Sequence, residues 1–196
     1  QRVGIGIKPP STAAGAKLRY DALEMTSGKW NPVTPVISRL TTRIADHKGA
    51  ADLSATARIN WDSSALTLEF TVTDDQHFSP LPKAEDIWRG DCIQCVIGIL
   101  MPEQGRYIYR NLFLAMINGE PYALLMEDPD NSHLVKLTVS RTGTKTVYCA
   151  KLNCSLFPDE LKRNNRIPFG FTVNESDDKK GFRGWLEWTP GICGGT

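Results

Sequence analysis

No run of apolar residues in this chain reaches the roughly 20 that a membrane-spanning helix requires, so the sequence predicts no membrane partner. Charge of one sign is missing as well. The 23 Lys and Arg residues face 22 Asp and Glu, a formal net charge of +1. A surface so near neutrality makes no strong field toward nucleic acid or anionic lipid, and neither is expected as a partner. Histidine is scarce: His47, His77 and His133 fall in unrelated, loop-like stretches. They read as surface residues rather than as bases or metal ligands. There is no GxSxG, no HExxH, no Walker loop and no GxGxxG after a strand, and Gly4-Ile5-Gly6 is too short to count. Carboxylates are plentiful, but a glycosidase pair is defined by its separation across a cleft, which a sequence does not display. These absences predict a protein without catalytic activity.

Helix signals are few: about two turns at 158–163. What dominates is alternation. In Leu66-Thr67-Leu68-Glu69-Phe70-Thr71-Val72-Thr73 every even position is apolar and every odd one polar. That period sends one face of a strand into a core. Further strands are predicted over 3–7, 34–40, 55–61, 91–99, 110–117, 135–141, 145–152, 169–174 and 184–188. Turn-forming residues separate them, among them Asp62-Ser63-Ser64, Asn118-Gly119-Glu120-Pro121 and Thr142-Gly143. Many short strands with such turns predict an all-β fold: a two-sheet antiparallel β-sandwich of immunoglobulin-like or jelly-roll type, with minimal helix. Without βαβ alternation a nucleotide-binding α/β fold is not expected. A hydrophobic content of 41% excludes a disordered chain.

Residues 1–26 read as an N-terminal edge strand and linker, with Lys8-Pro9-Pro10-Ser11-Thr12 as linker composition, and 27–196 as the sandwich. A start at Gln1, without methionine or signal peptide, reads as a segment of a larger, processed protein. The five cysteines, Cys92, Cys95, Cys149, Cys154 and Cys193, are an odd number and close no full disulfide set. Cys92 and Cys95 form a CxxC, but on a strand their side chains point to opposite faces, and no second pair completes a zinc site. Buried small side chains, or one disulfide between neighbouring strands, are the two readings left open.

Trp88 sits in the polar stretch Glu85-Asp86-Ile87-Trp88-Arg89-Gly90-Asp91, leading into a strand. An indole at such a rim stacks on a sugar ring, or else caps the sandwich core. Trp188 shares a face with Leu186 and reads as core, whereas Trp185 points the other way. Acidic clusters at Asp74-Asp75, at Glu127-Asp128 with Asp130, and at Glu175 with Asp177-Asp178 are solvated loops or calcium ligands; none has EF-hand spacing.

Several stretches, in order, resemble the family 9 carbohydrate-binding modules and their DOMON-like relatives. Asn60-Trp61-Asp62 followed by Leu66 to Asp74 is similar to their "W-D…L-x-(V/L)-x-(V/F)-x-V-x-D" stretch. Ile87-Trp88-Arg89-Gly90-Asp91-Cys92-Ile93-Gln94 resembles "W-x-x-D-S-(V/I)-(E/Q)". Pro168 to Asp177, then Gly184 to Trp188, resembles the "G-F-N-x-x-V-N-D-x-D…W" ending, and Ser27-Gly28-Lys29-Trp30 loosely matches the opening. The resemblance implies an exported sandwich, secreted, periplasmic or on the cell surface. It implies binding of poly- or oligosaccharide between two tryptophans, with structural calcium, in a chain joined to glycan-active or surface domains. Trp88 matches one stacking tryptophan, Gln94 a ligand-facing polar position, and Asn111 and Thr172 other polar positions of the binding face. Three departures stand out. Phe113 lies where the family carries an arginine, Gly98 replaces an acid, and no second stacking tryptophan follows Gly191. The residues expected at the ligand are Trp88, Gln94, Asn111, Phe113, Thr172 and Trp185. The competing expectation is a structural or interaction sandwich that has lost the sugar site. A haem-binding relative would need paired axial ligands, and no Met/His pair sits on a pocket strand.

Overall fold

The computed structural model describes residues 2–6, 19–24, 34–80, 84–101, 105–157, 161, 167–177, 181–188 and 192. Among these the strands are, in chain order, β1 (Arg2–Gly6), β2 (Arg19–Glu24), β3 (Thr41–Thr42), β4 (Leu53–Trp61), β5 (Ala65–Asp74), β6 (Cys92–Met101), β7 (Arg106–Ile117), β8 (Glu120–Leu125), β9 (Val135–Thr142), β10 (Lys145–Asn153), β11 (Phe169–Glu175) and β12 (Gly184–Glu187). They form two six-stranded sheets: β1-β2-β4-β5-β10-β9 in the first and β3-β12-β11-β6-β7-β8 in the second. Pairing is antiparallel except between β2 and β4. The predicted β-sandwich is what the chain forms. No helix among the described residues is long and apolar enough to cross a membrane.

The core lies between the sheets and follows from period two. Leu66, Leu68, Phe70 and Val72 of β5 all point inward, because fixing the register of one fixes the rest. They meet Ile93, Cys95 and Ile97 of β6, Leu112 and Leu114 of β7, and Phe169, Phe171 and Val173 of β11. Phe70 and Phe171 meet edge to face at 5.0 Å. Burying one such ring contributes about 1.5–3 kcal/mol from area alone. The β7–β8 hairpin turns on Asn118 (φ 52°) and Gly119 (φ 83°), the left-handed pair that a two-residue type I′ turn requires.

The structure departs from the expected strand list in places. Residues 34–40 form no strand: Ile37 makes only an isolated bridge to Ala57, and Pro35 has no N–H for a ladder. Lys8 to Thr12, with its linker composition, lies outside the described residues, and beyond it β2 attaches the N-terminal hairpin to β4. β8 is not among the predicted strands, and its first two residues belong to the expected turn; Pro121 fits there because β8 is an edge strand. The entry to β6 is a 3-10 turn, Ala84–Arg89. The helix expected at 158–163 lies outside the described residues except for Leu161, which is buried. Cys92, Cys95, Cys149 and Cys154 are free thiols, and Cys193 lies outside the described residues. Cys95 packs in the core and burial pushes its thiol well up, so it behaves as a small apolar group.

Candidate functional site

Because Ile93, Cys95 and Ile97 face the core, the residues between them face outward from the second sheet. Strand register then assembles a surface in rows. One row runs Glu187, Thr172, Gln94, Phe113, Leu124, and its neighbour runs Trp185, Asn174, Cys92, Ala115, Tyr122. On the other side of the first row lie Gly170, Val96 and Asn111. Gln94, Asn111, Phe113, Thr172 and Trp185 thus share one face, and Trp88 stands at its rim.

The 3-10 turn carrying Trp88 is fastened twice. Ile87 is buried in a small apolar cluster with Cys92, Phe113 and Ala115, on the outer side of the sheet. The Trp88 carbonyl accepts a hydrogen bond from Asn174 Nδ2 at 3.1 Å. The indole itself is 36% exposed. Its ring meets Phe182 edge to face at 5.4 Å, and Phe182 stacks on Trp185 at 5.9 Å. The Arg89 guanidinium lies 5.0 Å from the Trp88 ring centre, within cation–π range. Trp185 Nε1 donates to Glu187 Oε2 at 3.1 Å, and Arg43 Nε donates to Glu187 Oε1 at 2.6 Å. Next to this aromatic group, Gln94 Nε2 donates to Asn111 Oδ1 at 3.3 Å. Glu127 in turn accepts from the Asn111 backbone N–H and from its Nδ2.

Two of the expected residues are not at the surface. Phe113 is 3% exposed and Thr172 fully buried. Phe113 packs against the Ile87 turn, an apolar role an arginine would not fill, and Thr172 Oγ1 hydrogen-bonds Asn174 Oδ1 at 3.1 Å. Gly98 also has a physical cause. A Cβ there would lie 2.8 Å from Pro168 Cβ, so no acid fits.

The acidic residues gather below the rim. Asp74 and Asp75 meet Asp177, while Asp52 meets Glu175 and Asp177, each set with carboxylate oxygens within 4.8 Å of one another. Arg183 donates to Asp46, Asp52, Glu175 and Asp177. His77, expected at the surface, has Nδ1 3.3 Å from Asp91 and 3.8 Å from Asp74. Burial and the charges of Asp91 and Asp177 push the Glu175 carboxyl up to about 10. Glu175 Oε2 and Asp177 Oδ1 are buried and have no hydrogen-bond donor among the described residues. Hard carboxylate oxygens at this spacing, two of them lacking donors, are chemically a fit for Ca²⁺.

Sequence reasoning missed Asp52, Tyr109, Phe182 and Arg183. The alternation of β7 held the signal for Tyr109, which lies two residues from Asn111 on the same face. Nothing local marks Asp52 or Arg183, which reach the cluster only through folding.

A family model for "Carbohydrate family 9 binding domain-like" matches residues 27–191. The chain belongs to this family. Among solved structures it is similar to a carbohydrate-binding module family 9 from Caldicellulosiruptor kristjanssonii in complex with cellotriose. That likeness has 12% identity over 85% of this chain and 82% of that one, with a TM-score of 0.60. A structure from the same organism in complex with glucose shares 13% identity over 84% of each chain, with a TM-score of 0.54. Both likenesses are of fold. A search of curated proteins found no match.

Proposed function

We propose that the chain is a non-catalytic carbohydrate-binding module whose ligand lies on the outer face of the second sheet. The observation that carries this reading is the half-open Trp88 ring, which shares that face with Gln94, Asn111 and Glu127. An indole supplies an apolar platform for a sugar ring, and neighbouring amide and carboxylate groups supply bonds to its hydroxyls. Trp185 and Phe182 buttress the indole, and Phe113 and Thr172 shape the face from beneath. Family membership supports the same reading.

The module is proposed to bear a structural Ca²⁺ held by Asp52, Glu175 and Asp177, an ion that would neutralise the carboxylates Arg183 leaves unbalanced. It works outside the cytoplasm, joined to glycan-active or cell-surface domains; the sequence resemblance supports this placement. The burial of Phe113 and Thr172 favours a second reading, an interaction sandwich whose sugar slot is closed.

A glycan array followed by titration calorimetry decides between the two. Binding in the micromolar to millimolar range, about −4 to −8 kcal/mol, is expected of so small a contact. A protein that retains no glycan while remaining folded supports the interaction domain instead.

A further inference from the structure

We infer that the binding face extends past Asn111 to Tyr109, so that the site takes a linear oligosaccharide laid along β6 and β7 rather than one terminal sugar. This rests on the carbohydrate reading above. Tyr109 is 51% exposed, more open than Trp88. Its neighbour Ile108 packs against the core, which turns Tyr109 outward beside Asn111. Across the ladder Tyr109 pairs with Gly98, which has no side chain to cover the ring. Pro168 fills the space a Gly98 side chain would take and bonds back through its carbonyl to Gly98 N–H at 2.7 Å. The result is a low floor of glycine and proline beside a standing phenol.

Register gives the length. Trp88 is tied to Asn174, which pairs with Cys92, and Tyr109 pairs with Gly98. The six steps from Cys92 to Gly98 span about 20 Å at ~3.3 Å per residue, the length of roughly four pyranose rings. Between the two aromatic ends lie Gln94 and Asn111, with Glu127 behind Asn111: hydrogen-bonding groups where a bound chain would carry hydroxyls. A single sugar on Trp88 leaves the Tyr109 end empty; an oligosaccharide reaches both platforms.

The test is calorimetric titration with glucose and the cello-oligosaccharides from two to six units. Affinity is expected to rise about tenfold or more from the dimer to the tetramer, as one further stacking contact provides, and then to level off. Tyr109→Ala should abolish that rise while leaving glucose and dimer affinity and the melting temperature unchanged. Tyr109→Phe should retain it, because the ring and not the hydroxyl stacks. Equal affinity at every length, or a length dependence intact in Tyr109→Ala, overturns the inference and leaves the Trp88 site standing. Failure of the wild type to bind any member removes the carbohydrate reading on this ligand and the inference with it.

Discussion

Glu127 grips Asn111 at two points, accepting from its backbone N–H at 2.7 Å and from its side-chain Nδ2 at 2.5 Å. The second bond fixes which way the amide faces and turns Oδ1 toward Gln94. Glu127 is exposed, so the grip orients a surface group and leaves the core untouched. Charged acceptors make the stronger hydrogen bonds, and an ordered amide loses less entropy when a ligand arrives.

Glu127→Ala should therefore weaken glycan binding by roughly 3–10-fold with little change in melting temperature, since only a surface bond is lost. Glu127→Gln should recover part of the affinity. Calorimetry on the three proteins checks this; equal affinities would mean that Asn111 needs no orienting partner.

Trp88→Ala should cost about tenfold or more in affinity, because the stacking platform leaves together with its exclusion of water. Trp88 is over a third exposed and its ring contacts Phe182 and Arg89 at the rim, so the stability cost should stay below ~2 kcal/mol. Paired titration and melting curves read both quantities. A large drop in stability with unchanged affinity would make Trp88 a structural cap.

Chelation should lower the melting temperature if an ion sits among Asp52, Glu175 and Asp177. At a hundredfold excess over its dissociation constant a ligand stabilises by about 2.7 kcal/mol, which in a chain of this size is roughly 5–10 °C. Adding Ca²⁺ back should restore the curve. Superimposable curves with and without chelator would show that Arg183 balances the cluster unaided.

Asp62 predicts an acid-side loss of stability. Burial alone would raise its pKa, but bonds from Ser64 N (2.7 Å), Ser64 Oγ (2.5 Å) and Ala65 N (3.0 Å), with the Lys151 charge, hold it below the usual value. A carboxyl depressed in the folded state stabilises above its unfolded pKa, near 4, and loses that contribution as pH falls through the folded value. Asp62→Ala should cost about 1 kcal/mol at neutral pH, and the difference from wild type should narrow as the pH falls below the unfolded value near 4. Urea titrations at several pH values follow the gap; a constant gap would locate the effect elsewhere.

Gly184→Ala should destabilise the β12 edge by about 2 kcal/mol or more, through overpacking and a strained backbone. Its φ of 145° is hostile to a side chain, and a Cβ would lie 2.5 Å from the Arg43 carbonyl oxygen. Denaturant midpoints of the two proteins give the number directly; an unchanged midpoint would mean that the Arg43 backbone gives way freely.

Alternation made the sandwich legible. The Leu66-to-Val72 stretch and the Cys92/Cys95 opposition are local properties of a strand and survive any arrangement of neighbours. Short or edge strands were hidden because little burial marks them: β3 has two exposed residues, and β8 begins with exposed Glu120 and Pro121. Resemblance pointed to Trp88 and Gln94, but a sequence does not say that the Ile87 turn would fold over Phe113. The grip of Glu127 on Asn111 and the gathering of Asp52 and Arg183 depend on pairings between distant segments, for which a single sequence carries no mark.

The partnership of β6 with β11 has a consequence for how the protein comes into being. β6 acquires its second neighbour only when residues far down the chain have emerged, and closing such a long loop precedes any reward from the contact. Until then a nascent chain displays Ile93, Cys95 and Ile97 along an open strand edge, the kind of template to which other chains adhere. Synthesis is thus most exposed to such adhesion in the interval before Phe169 emerges.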